Sequence, residues 1–193
     1  MPNGGDPSIN YRGGTWVGLD GPSCGVILQS GVSWSIQNGT QSFHLWSQWY
    51  PESPFYVSNE QVNVNGGDML KITVEATSKT LGTSIIENLT TGNIFRLEYS
   101  GEKELCQRHA EWIVEDPTTY GAYDPKAGSR SSPCLGPFAN FSTVSFLHAS
   151  AKLASGNIVD ISKAAVVNIW QGPKTLTDCR ATRYSALVCS YVD

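Results

Sequence analysis

Among the residues whose side chains could do chemistry are an amide at Gln29 and a carboxyl at Glu111, each of which proves nothing by itself. Gln29 closes the apolar run GVILQ and precedes Ser30 and Gly31. A primary amide has two N–H donors and no titratable charge, so it can stabilise a developing oxyanion at any pH. Glu111 opens the run EWIVED, where strand alternation sets Glu111, Ile113 and Glu115 against Trp112, Val114 and Asp116. On an inward face beside aromatics a carboxyl is pushed up toward the range used in proton transfer. On a solvent face it is hydrated and inert, and periodicity leaves both readings open. A third stretch, FHLWSQWY, sets Phe43, Leu45, Ser47 and Trp49 against His44, Trp46, Gln48 and Tyr50. One face belongs to a core; the other either walls a concave binding site or is aromatic filling.

Other catalytic chemistries find little support. No G-x-S-x-G occurs, and His44, His109 and His148 are scattered without a readable partner arrangement. Cys24, Cys106, Cys134, Cys179 and Cys189 form no C-x-x-C pair or zinc-ligand spacing, so a metal site is not expected. Five cysteines allow at most two internal disulfides with one thiol left over.

The elements that must position these residues are strands. From Thr15 onward short apolar or alternating runs (TWVGL, GVILQ, FHLWSQWY, EQVNV, MLKITVEAT, TSIIENL, NIFRLEY, AEWIVE, STVSFLHA, KAAVVNIW and SALVCSYV) are separated by Gly, Asn, Asp and Ser, with no sustained helical period. In MLKITVEA, Met69, Lys71, Thr73 and Glu75 alternate with Leu70, Ile72, Val74 and Ala76, the pattern of a half-buried antiparallel strand. Gly66-Gly67 and Thr91-Gly92 are turn signals. The chain is read as all-β, with two packed antiparallel sheets favoured over a small barrel. Residues 116–138, rich in Pro, Gly and Ser, read as a long loop, functional or inserted.

Composition narrows the function classes. With 40% apolar and 16% charged residues and a formal charge of -4, the chain is neither a disordered segment nor a polybasic nucleic-acid binder. No run approaches the roughly 20 apolar residues of a membrane-spanning helix, and the start carries no signal-peptide pattern. Three N-glycosylation sequons, at Asn38 (N-G-T), Asn88 (N-L-T) and Asn140 (N-F-S), lean with the cysteines toward an extracellular protein.

In WVGLDG, ILQSG, WSQWYP, VNGGDMLKITVEATSKTLGTSIIENLTTG, LCQRHAEWIVED and PFANFSTVSFLHA, in that order from Trp16 onward, the chain resembles the glutamic peptidases, the eqolisin family of fungal acid endopeptidases. The resemblance implies a concanavalin- or lectin-like double β-sandwich of two bent antiparallel sheets. It also implies one domain over residues 1–193, N-terminally incomplete against the family, with a catalytic pair falling on Gln29 and Glu111. Ionised Glu111, with an ordinary or low pKa, then takes a proton from water and returns it to the leaving amine, while Gln29 stabilises the oxyanion. Asp20 is implied as a supporting acid, and Trp46 and Trp49 as groove residues. Polypeptide substrates, no cofactor and no metal, a secreted monomer and no nucleic-acid or membrane partner complete the expectation.

Two positions depart from the family pattern. Ser33 stands where an aspartate is common and Gln48 where a glutamate is common, which is expected to alter the field and hydrogen bonding around Glu111. The alternatives are an inactive or truncated relative that keeps a polypeptide-binding groove, and a lectin-like carbohydrate binder built on Trp46 and Trp49. A glycosidase pairing Glu111 with Glu115 is disfavoured. Four strand residues separate them by about 13 Å, beyond the roughly 5 to 9.5 Å that such carboxyl pairs span.

Overall fold

The structure, a computed structural model, describes residues 5–119, 123–124, 129–130, 134–182 and 185–192. Eight strands occupy the first part of the chain: β1 (Tyr11–Asp20), β2 (Ile27–Gln37), β3 (Thr40–Tyr50), β4 (Phe55–Tyr56), β5 (Leu70–Ala76), β6 (Leu81–Asn88), β7 (Asn93–Ser100) and β8 (Ala110–Glu115). They form a five-stranded sheet ordered β4-β3-β2-β1-β8 and a three-stranded sheet ordered β5-β6-β7, all neighbours antiparallel where paired. The all-β reading holds, the sole helical element among the described residues being one 3-10 turn at Ile161–Lys163.

The alternation of β2 decides which face of the larger sheet is core. Leu28, Ser30, Val32, Trp34 and Ile36 are buried on one face, and the apolar members feed three separate clusters. Leu28 packs with Trp49, Val26 and Leu105; Val32 with Leu45, Ile86 and Phe95; and Trp34 and Ile36 with Phe138, Phe141 and Leu176. The three-stranded sheet covers this face through Leu70, Ile72, Val74 and Ala76 of β5, the side that its alternation assigns to the core. The hairpin between β2 and β3 turns on Asn38 (φ 51°) and Gly39 (φ 72°), and this two-residue turn sets the register from Gln37↔Thr40 to Ile27↔Tyr50.

Within the expected loop, β9 (Thr118–Thr119) pairs with β12 (Cys134–Leu135), and β10 (Tyr123–Asp124) with β11 (Ser129–Arg130). Residues 120–122, 125–128 and 131–133 of that stretch lie outside the described residues. Beyond it come β13 (Thr143–Phe146), β14 (Ser150–Lys152), β15 (Ile158–Asp160), β16 (Trp170–Gln171), β17 (Lys174–Thr175), β18 (Thr177–Ala181) and β19 (Leu187–Tyr191). β13-β19-β18 form a second three-stranded sheet, while β14-β15 and β16-β17 are separate pairs. Disulfides join Cys24 to Cys106 and Cys179 to Cys189.

Two expected strands are not strands. In EQVNV, Val62 and Val64 point into the core as their alternation suggests, but the segment opens as a turn, with Gln61 N and Val62 N donating to Ser58 O, and joins no ladder. KAAVVNIW likewise joins no ladder before Trp170, and Val167 is 72% exposed. Apolar β-branched residues favour a pleated, half-buried surface, and here no neighbouring strand supplies one.

The three sequons occupy different environments. Asn38 and Asn140 are exposed. Asn88 is fully buried, donating through Nδ2 to Asn63 O and Asp68 Oδ2 at 2.9 Å each and accepting from Thr90 N and Thr91 N through Oδ1. Its nitrogen has no free path to a glycan, which removes Asn88 as an acceptor. Glycopeptide mapping after expression through a eukaryotic secretory pathway is expected to find the Asn88 peptide unmodified in the folded protein. Trp49, 0% exposed, lies on the core face, with its Nε1 donating to Lys103 O at 3.1 Å. Trp49→Ala is expected to lower unfolding free energy by about 3 to 5 kcal/mol in a denaturant titration, the usual cost of truncating a buried Trp.

Candidate active site

On the other face of the five-stranded sheet, one register line crosses four strands: Gln48 on β3, Gln29 on β2, Gly18 on β1 and Glu111 on β8. Directly opposed residues of an antiparallel sheet share a face, so Gln29 and Glu111 stand on the same side of Gly18 with Cα atoms about 10 Å apart, two strand spacings. The missing side chain at Gly18 lets the Trp16 indole lie over the glycine between them, where an added Cβ would come 2.8 Å from its Cζ3. At its other end the Trp16 indole is held by Nε1 donating to Glu115 Oε2 at 2.9 Å. The next line carries Trp46, Gly31, Trp16 and Ile113, which places Trp46 beside Gln48 on the Gln29 side, three strands from Glu111.

Asp20 builds the entry to β8. Fully buried at the end of β1, it accepts from the backbone N–H of Gln107 (2.7 Å) and Arg108 (2.7 Å), with a longer contact from His109 (3.3 Å). Its own N–H donates to His109 O at 3.0 Å. These bonds fix the loop that delivers Glu111. The adjacent Gly21 has φ 122°, and a Cβ on it would lie 3.0 Å from Glu111 Oε1, so this position requires glycine both for its backbone and for the approach of the carboxyl. Glu111 is half-buried, and desolvation, reinforced by the negative charge of Asp20, pushes its pKa from the ordinary 4.5 to about 7. This replaces the expectation of an ordinary or low value. It matches the inward-face reading of the strand, while the share due to Asp20 could not be foreseen, because Asp20 and Glu111 are 91 positions apart and meet through the β1–β8 pairing.

Gln29 is buried, and its Nε2 donates to Gln48 Oε1 at 2.7 Å. Gln48 therefore bonds to the amide of the pair and not to its carboxyl, an alignment absent from the sequence reading. Ser33 stands two lines away, opposite Gly14 and His44, so its substitution leaves Glu111's immediate contacts untouched. Trp49, expected in the groove beside Trp46, is corrected to the core, since adjacent groove and core positions alternate along β3 and 46 and 49 differ by an odd number. Asp20 lies near Glu111, and Trp46 shares the face of Gln29 and Gln48.

An all-β chain that sets an amide and a raised carboxyl on one face, either side of a glycine, has the makings of a hydrolase. Comparison with known proteins agrees with that class. The Peptidase A4 family pattern matches residues 1–191, and the chain belongs to this family, the glutamic peptidases. It is 38% identical over 184 residues to aspergillopepsin-2 of Aspergillus niger, which covers 94% of this chain, while the chain spans 60% of that relative's length. The crystal structure of aspergilloglutamic peptidase from the same fungus is similar with a TM-score of 0.79 at 37% identity, covering 94% of this chain and 99% of the other. Scytalido-glutamic peptidase with a peptide-based transition state analog gives 0.83 at 33% identity, over 100% of this chain and 88% of the other.

The raised carboxyl carries a consequence for stability. Between 4.5 and about 7 the unfolded chain releases the Glu111 proton while the folded chain keeps it, so this group's contribution is fully present below pH 4.5 and is lost as pH rises through about 7. The parent is expected to lose unfolding free energy across that window more steeply than Glu111→Gln, as measured by denaturant titrations at successive pH values. Carboxyl resonances should give a Glu111 midpoint near 7.

Proposed function

We propose that this chain is an acid-acting endopeptidase that hydrolyses peptide bonds of polypeptide substrates at Gln29 and Glu111. The register that sets Gln29 and Glu111 on one face of the sheet, on the strands either side of Gly18, carries the reading. In acid a carboxyl of pKa about 7 begins neutral and not ionised, which alters the first step from that implied by the resemblance. The water oxygen bonds to the carbonyl carbon and its proton passes to the unprotonated oxygen of Glu111. The carboxyl's own proton passes to the carbonyl oxygen, on which an N–H of Gln29 stabilises the negative charge that develops. As the intermediate collapses, the C–N bond breaks, Glu111 gives its proton to the leaving nitrogen, and a hydroxyl proton of the intermediate returns to Glu111. The residue ends as it began.

Asp20 in this reading acts through Glu111, holding its loop and keeping its proton on, and Trp46 lines the substrate side. Two disulfides and the exposed sequons at Asn38 and Asn140 support a secreted glycoprotein, because such bonds persist in oxidising compartments. A formal charge of -4 favours no nucleic-acid partner. We take the working unit to be a monomer that needs no cofactor.

Cleavage of a denatured protein by the purified chain between pH 2 and 9, beside Gln29→Ala and Glu111→Gln checked for folding by circular dichroism, tests the assignment. Both variants are expected to lose at least about 100-fold in kcat/KM, the scale of an oxyanion donor or a proton-transfer group. The parent's kcat/KM should fall tenfold per pH unit above about 7, as Glu111 loses the proton it must start with. A rise toward pH 7 from the acid side would instead assign the first step to the ionised carboxylate. Full activity in Glu111→Gln would remove Glu111 from the chemistry.

A further inference from the structure

We propose that Gln48 is a positioning residue that fixes which way round the Gln29 amide faces, an assignment that rests on the role given to Gln29 above. The argument begins at a group that cannot change its polarity. The backbone carbonyl of Glu52 is an acceptor only, and it receives Gln48 Nε2 at 2.7 Å. With its nitrogen committed there, Gln48 presents Oε1 to its cross-strand partner. That oxygen is also an acceptor only, so Gln29 must turn Nε2 toward it, and the 2.7 Å bond is the result.

Polarity is thus handed from the main chain to the amide in two steps: Glu52 O, Gln48, Gln29. Flipping either amide would bring two N–H groups or two carbonyl oxygens face to face, and Gln29 is buried, so water cannot easily compensate. The lock leaves Gln29 with one uncommitted N–H on a nitrogen of fixed position, which is what a preorganised donor requires. The anchor is itself held. Glu52 N donates to Trp49 O at 2.8 Å, Glu52 Oε1 accepts from Glu102 N at 2.9 Å, and the neighbouring Trp49 is pinned in the core. Core packing on one face of β3 therefore reaches the working amide on the other.

Gln48 contains no ionisable group, so the lock does not titrate. A carboxyl in its place would hold the same two bonds only when protonated, its O–H donating to Glu52 O. Once ionised it would oppose an acceptor with an acceptor, near the other acids of this region, Glu52 and Glu102 behind it and Glu111 and Asp20 across the sheet.

Gln48→Leu and Gln48→Glu test the lock. In Gln48→Leu, kcat is expected to fall about tenfold or more with KM little changed, less than the roughly 100- to 1000-fold loss of an oxyanion donor itself. Gln48→Glu should recover most of that kcat in acid and lose it at a lower pH than the parent. A purely structural substitution would not move the pH profile in this way. Independently of activity, the side-chain amide of Gln29, assigned by the signal missing in Gln29→Ala, should show separated, slowly exchanging protons in the parent that move toward solvent-exposed values in Gln48→Leu. Unaltered Gln29 signals in folded Gln48→Leu, or parent-like kcat and pH profile in both variants, would overturn the lock while leaving the peptidase reading intact. An inactive parent or a fully active Gln29→Ala would overturn that reading, with the amide signals still reporting on the lock.

Discussion

The alternation of β2 is the constraint on which the rest of the molecule depends. Leu28, Val32, Trp34 and Ile36 enter three separate core clusters, so the strand is anchored along most of its length on one face. A slip of one residue would exchange the faces, burying Gln29 and Ser33 among hydrocarbons and exposing Leu28 and Trp34. The cores therefore hold the site in register even though they touch it only through the backbone. The Asn38-Gly39 turn reinforces this from one end by fixing how β2 meets β3.

Once β2 is fixed, each component of the candidate site is one or two pairing steps away. β1 lies on one side and contributes Gly18, over which the Trp16 indole lies, and β8 lies beyond it and contributes Glu111. β3 lies on the other side and contributes Gln48. Rigid strands set these spacings better than loops would, because a displacement requires several ladder hydrogen bonds to shift together. The loop ahead of β8 is the exception, and there buried Asp20 takes over the ordering by binding three successive backbone N–H groups. The same carboxyl places negative charge near Glu111, so one residue both positions the acid and helps keep its proton on. A carboxyl that stays neutral well above its ordinary range suits chemistry in acid, where it can donate and accept in one step.

The two faces of β3 show how finely the sequence discriminates. Trp46 and Trp49 are the same residue type three positions apart in one aromatic run, yet they serve opposite faces. The family resemblance implied a shared groove; parity along the strand separates them. Asn88 makes a similar point about motifs. N-L-T is a valid sequon in the linear chain, but folding consumes both ends of the amide, the oxygen in closing the turn between β6 and β7 and the nitrogen in tying that turn to Asn63 and Asp68.

By itself the sequence determined the fold class, because short alternating runs punctuated by turn residues leave no other way to bury this chain's apolar surface. It determined the two-faced character of β3, β5 and β8, since a period of two is local, and it singled out Gln29 and Glu111 through the motifs around them. Where it overreached, in EQVNV and KAAVVNIW, the local apolar pattern was genuine but a partner strand was needed to make a ladder, and partners are a property of the whole chain. Only the tertiary structure decided that Gln48, Gln29, Gly18 and Glu111 fall on one line, that Asp20 reaches the loop before β8, that Glu111 keeps its proton to about 7, and that Gln48 grips the amide and not the acid. The physical reason is common to all four. Register, burial and charge proximity come from contacts between residues as far as 93 positions apart, as Gly18 and Glu111 are, and nothing in the local order of side chains specifies which distant strand will lie alongside.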